Sequence, residues 1–320
     1  MKKLMILLLT VLLTFAVSAC SSNSDKTSGS NSGSKKKHYV FGYTSMTQNN
    51  PYFQVVEKAI RKKVEANGDK LITTNPAMDQ EKQINQIEDL ISQNVDAIFL
   101  NPVDWEGIQP ALVELKNANI PIINFDAEVK DQGIVTAYVG SDNKNAGKVD
   151  GEDLVKRFPN GGKIVILDSP TMNSVNDRIS GFMEAIKGHN FDIVAQQDAK
   201  GDLQTAMNKM ADILQSHTDI IAVMGGNDPT ALGALAAAKA ANKKDIAIYG
   251  VDGSPDAKKE IANGGLLIGT GAQSPINIGE KSVDVAYQVL KGKKVDKRYP
   301  IETFLINKDN VNKYGTDGWQ

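Results

Sequence analysis

Two pairs of asparagine and aspartate recur at the same spacing in the sequence. Asn101 precedes Asp126 by 25 residues, and Asn227 precedes Asp252 by 25 residues. Each Asp directly follows an apolar run, and a proline comes within two residues of each Asn. Because ionised Asp only accepts hydrogen bonds whereas Asn both donates and accepts them, the set is typical of a site for a neutral ligand with many hydroxyl groups.

Two other interpretations of these residues stay open. Asn and Asp are common N-cap residues, so each of the four could simply begin a helix. Asp126 and Asp252 could also be the paired carboxyl groups of a glycoside-processing enzyme. The neighbouring Asn residues and the repeated spacing suit holding a sugar better than cleaving it.

Other kinds of catalysis have little support in the sequence. The three histidines, His38, His189 and His217, are not spaced with Cys, Asp or Glu as a metal site requires. The sequence contains neither a G-x-S-x-G nucleophile motif nor a glycine-rich phosphate-binding loop. We therefore predict a protein that is not an enzyme and that uses no cofactor and no metal ion.

The segments that must position the Asn and Asp residues alternate between strand and helix patterns. Short apolar runs such as 95–100 and 245–250 predict buried strands, and apolar residues at helical spacing lie between such runs. The pattern starts again near residue 162, which predicts two similar α/β lobes, each a parallel sheet with helices on both faces. Since ligands of such sheets bind beyond the carboxyl ends of the strands, facing lobes would gather the four polar side chains around one cleft.

The N-terminal segment predicts export from the cytoplasm. Lys2 and Lys3 precede an uncharged, mostly apolar run over 4–17, which is typical of a secretory signal peptide over 1–19. An anchor that stays attached is the alternative, but the run is short for a membrane span. The formal net charge of −2 does not favour binding to nucleic acid.

The single cysteine, Cys20, ends the sequence "VSAC", which resembles the bacterial lipobox. Lipidation at Cys20 would tether the protein to the outer face of a membrane. The residues that follow, up to 37, are mostly Ser, Gly, Asn and Lys, a composition that predicts a flexible tether.

Eight short motifs in one order give the body of the chain a resemblance to a known family. They are "NNPYF" (49–53), "NPVD" (101–104), "INFD" (123–126), "GSDN" (140–143), "NDRISGF" (176–182), "GGNDPTALGAL" (225–235), "GVDGSPD" (250–256) and "AQSP" (272–275). Together they resemble the bacterial periplasmic or extracellular sugar-binding proteins of the ribose and galactose type, which are the substrate-binding lipoproteins of ABC importers. The pattern is most similar to that of ribose-binding proteins.

The resemblance implies a type I periplasmic-binding-protein fold with two Rossmann-like lobes joined by a hinge of three crossovers. The first lobe would be 38–141 with 274–302, and the second 142–273 with 303–320. Monosaccharide-binding residues would come from the first lobe, from the second lobe, from an aromatic pair and from the hinge. They are Asn50, Asn101 and Asp126 from the first lobe, Arg178, Asn227 and Asp252 from the second lobe, the aromatic pair Tyr52 and Phe53, and Gln273 near the hinge.

The function implied is capture of a pentose or hexose outside the cell by a monomer, which then delivers the sugar to the permease subunits of an ABC importer. A receptor for a furanose-like quorum signal or for chemotaxis is an alternative within the same fold. Regulators of the lactose-repressor type share this body, but they begin with a helix-turn-helix, and here a signal and a lipidation site stand in that place.

Three positions depart from the pattern of ribose-binding proteins. Ala127 stands where they have Arg, while Val251 and Gly201 stand where they have aromatic residues. The resemblance therefore implies a roomier or differently hydrated pocket and does not specify the sugar. Trp105 could supply replacement stacking, or it could cover a helix start at the surface.

Overall fold

Two six-stranded β-sheets organise the part of the chain that the computed structural model describes, residues 37–320. The predicted signal peptide over 1–19 and the predicted lipidation site Cys20 lie outside the described residues, as does most of the predicted tether. Those three assignments stay predictions. None of the described helices is both long and apolar enough to cross a bilayer.

The first sheet contains strands from the first half of the chain and one late strand. They are β1 (Val40–Thr44), β2 (Lys70–Thr74), β3 (Ala97–Leu100), β4 (Ile122–Phe125), β5 (Ala137–Ser141) and β11 (Arg298–Ile301). The strand order is β11-β5-β4-β3-β1-β2, and every neighbouring pair is parallel. Strands β3, β4 and β5 are buried along their whole length, as expected for central strands of a parallel sheet that is covered on both faces.

The second sheet repeats this arrangement. Its strands are β6 (Gly162–Asp168), β7 (Phe191–Asp198), β8 (Ile220–Gly225), β9 (Ala247–Asp252), β10 (Leu267–Ala272) and β12 (Phe304–Asn307). The order is β12-β10-β9-β8-β6-β7, and only β12 is antiparallel to its neighbour. The predicted pair of similar α/β lobes is thereby confirmed.

Helices cover the sheets and connect their strands. They are α1 (Pro51–Ala66), α2 (Gln80–Ser92), α3 (Gln109–Asn117), α4 (Asn143–Arg157), α5 (Asn173–Ile186), α6 (Leu203–Ser216), α7 (Asp228–Ala240), α8 (Pro255–Asn263), α9 (Pro275–Leu290) and α10 (Val311–Tyr314). Helix α1 shows why the sequence forms a helix at such a position. Asn50 caps its first turn, Pro51 is its first residue, and Val56, Ile60 and Val64 are buried on one face.

The chain passes between the sheets three times, as the predicted fold class requires. Helix α4 connects β5 to β6, helix α9 connects β10 to β11, and residues 302–303 connect β11 to β12. Two of these connections touch, because Asn145 Nδ2 donates to Thr303 O at 2.9 Å and Thr303 Oγ1 donates to Asp142 O at 3.0 Å. Two of the three connections between the lobes therefore lie side by side.

The sequence patterns did not reveal helix α4, helix α8, helix α10 or strands β11 and β12. Helix α4 lacks an apolar stripe because it packs through glycine. A Cβ at Gly147 would overlap the backbone of Arg178 in α5, and a Cβ at Gly181 in α5 would overlap the backbone of Lys144 in α4. Contact of this kind leaves little hydrophobic periodicity to detect.

Candidate ligand-binding site

A cavity of about 520 Å³ lies between the two lobes, at the carboxyl ends of strands from both sheets. Eight of the nine residues predicted to bind a ligand line it. They are Asn50, Tyr52, Phe53, Asp126, Arg178, Asn227, Asp252 and Gln273. The ninth, Asn101, is fully buried and does not line the cavity.

Asp126 presents a buried acceptor to the cavity. It follows β4 directly, and its backbone has a φ of 61°, a conformation that costs free energy in a residue other than glycine. One carboxylate oxygen, Oδ2, accepts a hydrogen bond from Asn101 Nδ2 at 3.1 Å. The other, Oδ1, is buried and has no hydrogen-bond partner in the described part of the chain. A buried acceptor without a donor is costly, so this atom is suited to a donor group on a ligand.

Asn101 holds Asp126 from behind. Its side-chain Oδ1 accepts from the backbone N–H of Met46 at 3.2 Å, and its Nδ2 also reaches the carbonyl oxygen of Phe125 at 3.3 Å. These contacts fix the orientation of the amide, which in turn fixes one oxygen of Asp126. Asn101 is therefore placed to orient Asp126 at the cavity wall without lining the cavity itself.

Asp252 is the counterpart of Asp126 in the second lobe. It is the last residue of β9 and has a φ of 148°, again in the region that favours glycine. Its Oδ1 accepts from Gln273 Nε2 at 2.7 Å and lies 3.8 Å from Nη1 of Arg178. The Asn227 side chain does not repeat the bond that Asn101 makes. Instead the backbone N–H of Asp228 approaches Asp252 Oδ2 at 3.4 Å.

Burial raises the pKa of both carboxyl groups. For Asp126 the removal of water raises the pKa, while the positive charge of Arg178 and the nearby polar side chains of Tyr52 and Asn101 oppose the shift. For Asp252 burial and the nearby charge of Asp228 hold the pKa well above its usual range, against the opposing effect of Arg178. The site thus contains more buried acid than its one guanidinium balances, and donor groups from a ligand would stabilise the ionised forms.

Arg178 is fixed in place by two hydrogen bonds and is almost fully buried. Its Nε donates to Asn143 Oδ1 at 2.8 Å, and its Nη1 donates to the carbonyl oxygen of Gly226 at 2.9 Å. Helix α5 carries the residue, and the glycine contact between α4 and α5 brings Asn143 within reach. The guanidinium is therefore a rigid donor at the wall of the cavity.

Asn50 and Asn227 each cap a helix and line the cavity. Asn50 Oδ1 accepts from the backbone N–H of Tyr52 at 2.9 Å, and Asn227 Oδ1 accepts from that of Thr230 at 2.9 Å. Asn227 Nδ2 also donates to the carbonyl oxygen of Gly201 at 3.1 Å. The capping and ligand-binding interpretations are compatible at both positions.

Aromatic rings form one wall of the cavity. Tyr52 and Phe53 pack edge to face with centroids 5.4 Å apart, and the Tyr52 hydroxyl donates to Gln273 Oε1 at 3.3 Å. Phe53 lines the cavity and also belongs to the hydrophobic core. A third ring, that of Trp319, packs against Tyr52 at 5.9 Å and lines the same cavity.

Sequence reasoning missed Trp319 and Asp228. Trp319 lies 63 residues after the end of the motif at 250–256, which contains Asp252. No regular spacing in the sequence connects Trp319 with that motif. Asp228 lies in the "GGNDPTALGAL" motif, but only the fold shows its buried carboxylate accepting from Ser254 N and Thr270 Oγ1, each at 2.7 Å.

The three departures from the ribose-binding pattern have different surroundings. Ala127 and Val251 are fully buried in the core and do not line the cavity. Gly201 does line it, and a Cβ there would lie 3.0 Å from Asn227 Nδ2. Trp105 is not a lining residue, and Lys130 Nζ lies 5.7 Å from the centroid of its ring.

Groups of three or more metal-ligating side chains do not occur among residues 37–320. The cavity residues offer hydroxyl, amide, guanidinium and carboxylate groups next to aromatic faces, a combination that binds polyhydroxylated molecules through hydrogen bonds and apolar contact.

Comparison with known proteins gives consistent matches. Residues 41–294 match the model of the periplasmic binding protein domain. The ribose import binding protein RbsB of Escherichia coli (strain K12) is 34% identical over 263 residues, which cover 82% of this chain and 88% of that protein.

Two solved structures are similar over nearly the whole described chain. An ABC transporter solute binding protein from Mycobacterium smegmatis with bound glycerol gives a TM-score of 0.83 at 30% identity, covering 87% of this chain and 96% of its own. An ABC transporter solute binding protein from Bacillus halodurans C-125 with bound myo-inositol gives a TM-score of 0.81 at 30% identity, covering 87% of this chain and 97% of its own.

Proposed function

Because this chain belongs to the family of periplasmic binding protein domains, we propose that it is an extracytoplasmic solute-binding protein that captures a monosaccharide between its lobes and delivers it to an ABC importer. The relatives named for ribose import and for solute binding by ABC transporters support this assignment. They also support binding without catalysis as the activity of the site.

The observation that carries the proposal is that Asp126, in the first lobe, has a carboxylate oxygen without a donor in the part of the chain that the structure describes. Asp252 and Arg178, from the second lobe, line the same cavity. Asp126 Oδ1 is buried without a partner among the described residues, and Asp252 and Arg178 are 3.8 Å apart at their nearest atoms. Sugar hydroxyl groups would donate to the two carboxylates, and Arg178 would donate to a ring or hydroxyl oxygen. The apolar C–H face of the sugar ring would pack on Tyr52 and Phe53.

Ligand capture would shift the lobes toward a closed form. We take the moving bodies to be 38–141 with 274–302 and 142–273 with 303–320, which bend at the three crossings. Away from those crossings a hydrogen bond also joins the two lobes directly: the backbone N–H of Trp105 in the first lobe donates to the carbonyl oxygen of Thr171 in the second at 3.1 Å. A ligand that contacts both lobes binds the closed form better than the open one and therefore increases its population.

The remaining parts of the proposal concern location and partners. Lipidation at Cys20 and the tether up to 37 would hold a monomeric receptor at the outer face of the membrane, where the closed lobes would meet the permease subunits. The sequence "VSAC" and the polar composition that follows it support this arrangement.

A thermal-shift panel with the purified protein tests the proposed function. The panel contains the monosaccharides D-ribose, D-allose, L-arabinose and D-galactose, the cyclitol myo-inositol, and glycine as a control that has no ring hydroxyl groups. At least one sugar should raise the melting temperature in a concentration-dependent manner, because a ligand that binds only the folded form stabilises it. A protein whose melting temperature responds to none of them would contradict monosaccharide binding.

A further inference from the structure

The last three residues of the sequence are tied to the edge of the cavity. Gln320 Nε2 donates to the carbonyl oxygen of Gly253 at 2.8 Å and reaches those of Asp252 and Gln273 at 3.5 and 3.4 Å. The Gln320 carbonyl oxygen accepts from Ser274 Oγ at 2.7 Å. The segment therefore touches the backbone of two of the predicted binding residues.

A buried lysine secures the same segment. Lys258 in helix α8 is fully buried, and its Nζ donates to the carbonyl oxygen of Gly318 at 2.6 Å and to Gln320 Oε1 at 2.9 Å. Burying an ammonium group is unfavourable unless it is hydrogen-bonded. These two bonds give acceptors to two of its three N–H groups and fix the segment to helix α8 of the second lobe.

This anchoring delivers the ring of Trp319 to the cavity. The indole lines the cavity and packs against Tyr52 at an interplanar angle of 69°. Tyr52 belongs to the first lobe, while the bonds that hold Trp319 come from the second lobe and from the start of α9. The ring thus adds an aromatic surface to a site in which Val251, buried in the core, offers none.

We infer that Trp319 is a ligand-binding residue of this protein, and that Gly318–Gln320 is the segment that positions it. The indole supplies a second apolar face to the sugar ring, at an angle to that of Tyr52, so the site favours cyclic sugars with an exposed C–H face over linear polyols. This inference rests on the proposed function.

The test is calorimetric titration of the full chain with the panel sugar that the wild-type protein binds most tightly. Trp319→Ala should weaken binding by about tenfold or more, because it removes a large apolar surface from the ligand contact. Trp319→Phe keeps an aromatic face and should retain affinity within about threefold of wild type. Lys258→Met removes the ammonium group that holds Gly318 and Gln320 but keeps an apolar side chain. It should also weaken sugar binding in this titration.

Trp105→Phe is the matched control, since it changes the only other tryptophan of the chain at a position outside the cavity lining. It should bind as the wild-type protein does. It also leaves Trp319 as the single tryptophan, whose fluorescence can be excited separately from that of the tyrosines. Saturating sugar should then reduce acrylamide quenching of Trp319 fluorescence, a readout that does not depend on a destabilising substitution.

The outcomes separate the inference from the function beneath it. Wild-type affinity in Trp319→Ala, or quenching of Trp319 that the sugar leaves unchanged, would overturn the inference while sugar binding stands. A wild-type protein that binds no panel sugar would overturn the proposed function, and the inference with it.

Discussion

At the scale of single residues, the site combines two unfavourable features at the same two positions. Asp126 and Asp252 are buried carboxyl groups, and both have a backbone conformation that favours glycine. Such positions persist only when the surrounding structure holds them, and they are common at binding sites. Both lie at the carboxyl end of a strand, β4 for Asp126 and β9 for Asp252, and both line the same cavity, which supports the proposal that they bind one ligand.

The first prediction concerns these carboxylates as acceptors. Asp126→Asn and Asp252→Asn keep the size of the side chain and tolerate positive φ, but they remove the charge. Each should weaken sugar binding by about 1.5–3 kcal/mol, the usual contribution of a hydrogen bond to a charged group. Calorimetric titration measures the change. Wild-type affinity in either variant would show that its carboxylate only shapes the backbone.

The second prediction concerns stability and pH. A carboxyl group whose pKa is raised by folding binds its proton more tightly in the folded state, so its stabilising contribution is lost as pH rises through the folded pKa. For Asp252 the pKa is well above its usual range, so the ionised group should cost stability in the unliganded protein at neutral pH. Asp252→Asn should therefore raise the melting temperature of the unliganded protein at neutral pH, and less so in acid. Equal melting temperatures at neutral pH would contradict this reading of the buried charge.

Sequence reasoning reached most of this site but not all of it. The matched spacing identified both aspartates because it reflects a repeat of whole βα units, whose register places both residues at strand ends. Three features of the site depend on three-dimensional contacts that the sequence does not show. They are the positive φ of both aspartates, the absence of a donor to Asp126 Oδ1 among the described residues, and the burial of Asn101 behind Asp126. The contact of Trp319 with Tyr52 joins residues too far apart in the chain for any local pattern to connect.

At the scale of elements, helices α4 and α5 show how small residues position a side chain at the cavity wall. Their backbones approach so closely that Gly147 and Gly181 have no room for a Cβ. The same approach lets Asn143 at the start of α4 hold Arg178 on α5. The central strands β3, β4, β8 and β9 were predictable because their apolar runs are buried along most of their length, whereas α4 was not, since its contact surface is glycine and backbone.

The third prediction follows from this helix contact. Gly147→Ala should destabilise the fold by about 1–3 kcal/mol, because the added methyl group forces the two helices apart. It should also weaken sugar binding by displacing Arg178. Chemical denaturation and titration measure the two effects. Gly265→Ala, where a Cβ would meet only ordinary contacts, is the control and should change neither quantity.

At the scale of the whole molecule, the order of strands and the three crossings put predicted binding residues of both lobes around one cavity. The α/β class, the two lobes and the family were predictable because the βα pattern occurs twice and eight motifs keep their order. The identity of the sugar was not, since it depends on the shape of a cavity whose lining residues come from many separate segments.

A crystal structure of the protein with its tightest-binding panel sugar tests the central claim most directly. The account predicts one sugar molecule between the lobes, with hydroxyl groups about 3 Å or less from Asp126 Oδ1 and from the Asp252 carboxylate. A sugar bound outside this cavity, or inside it without contact to either carboxylate, would contradict the account.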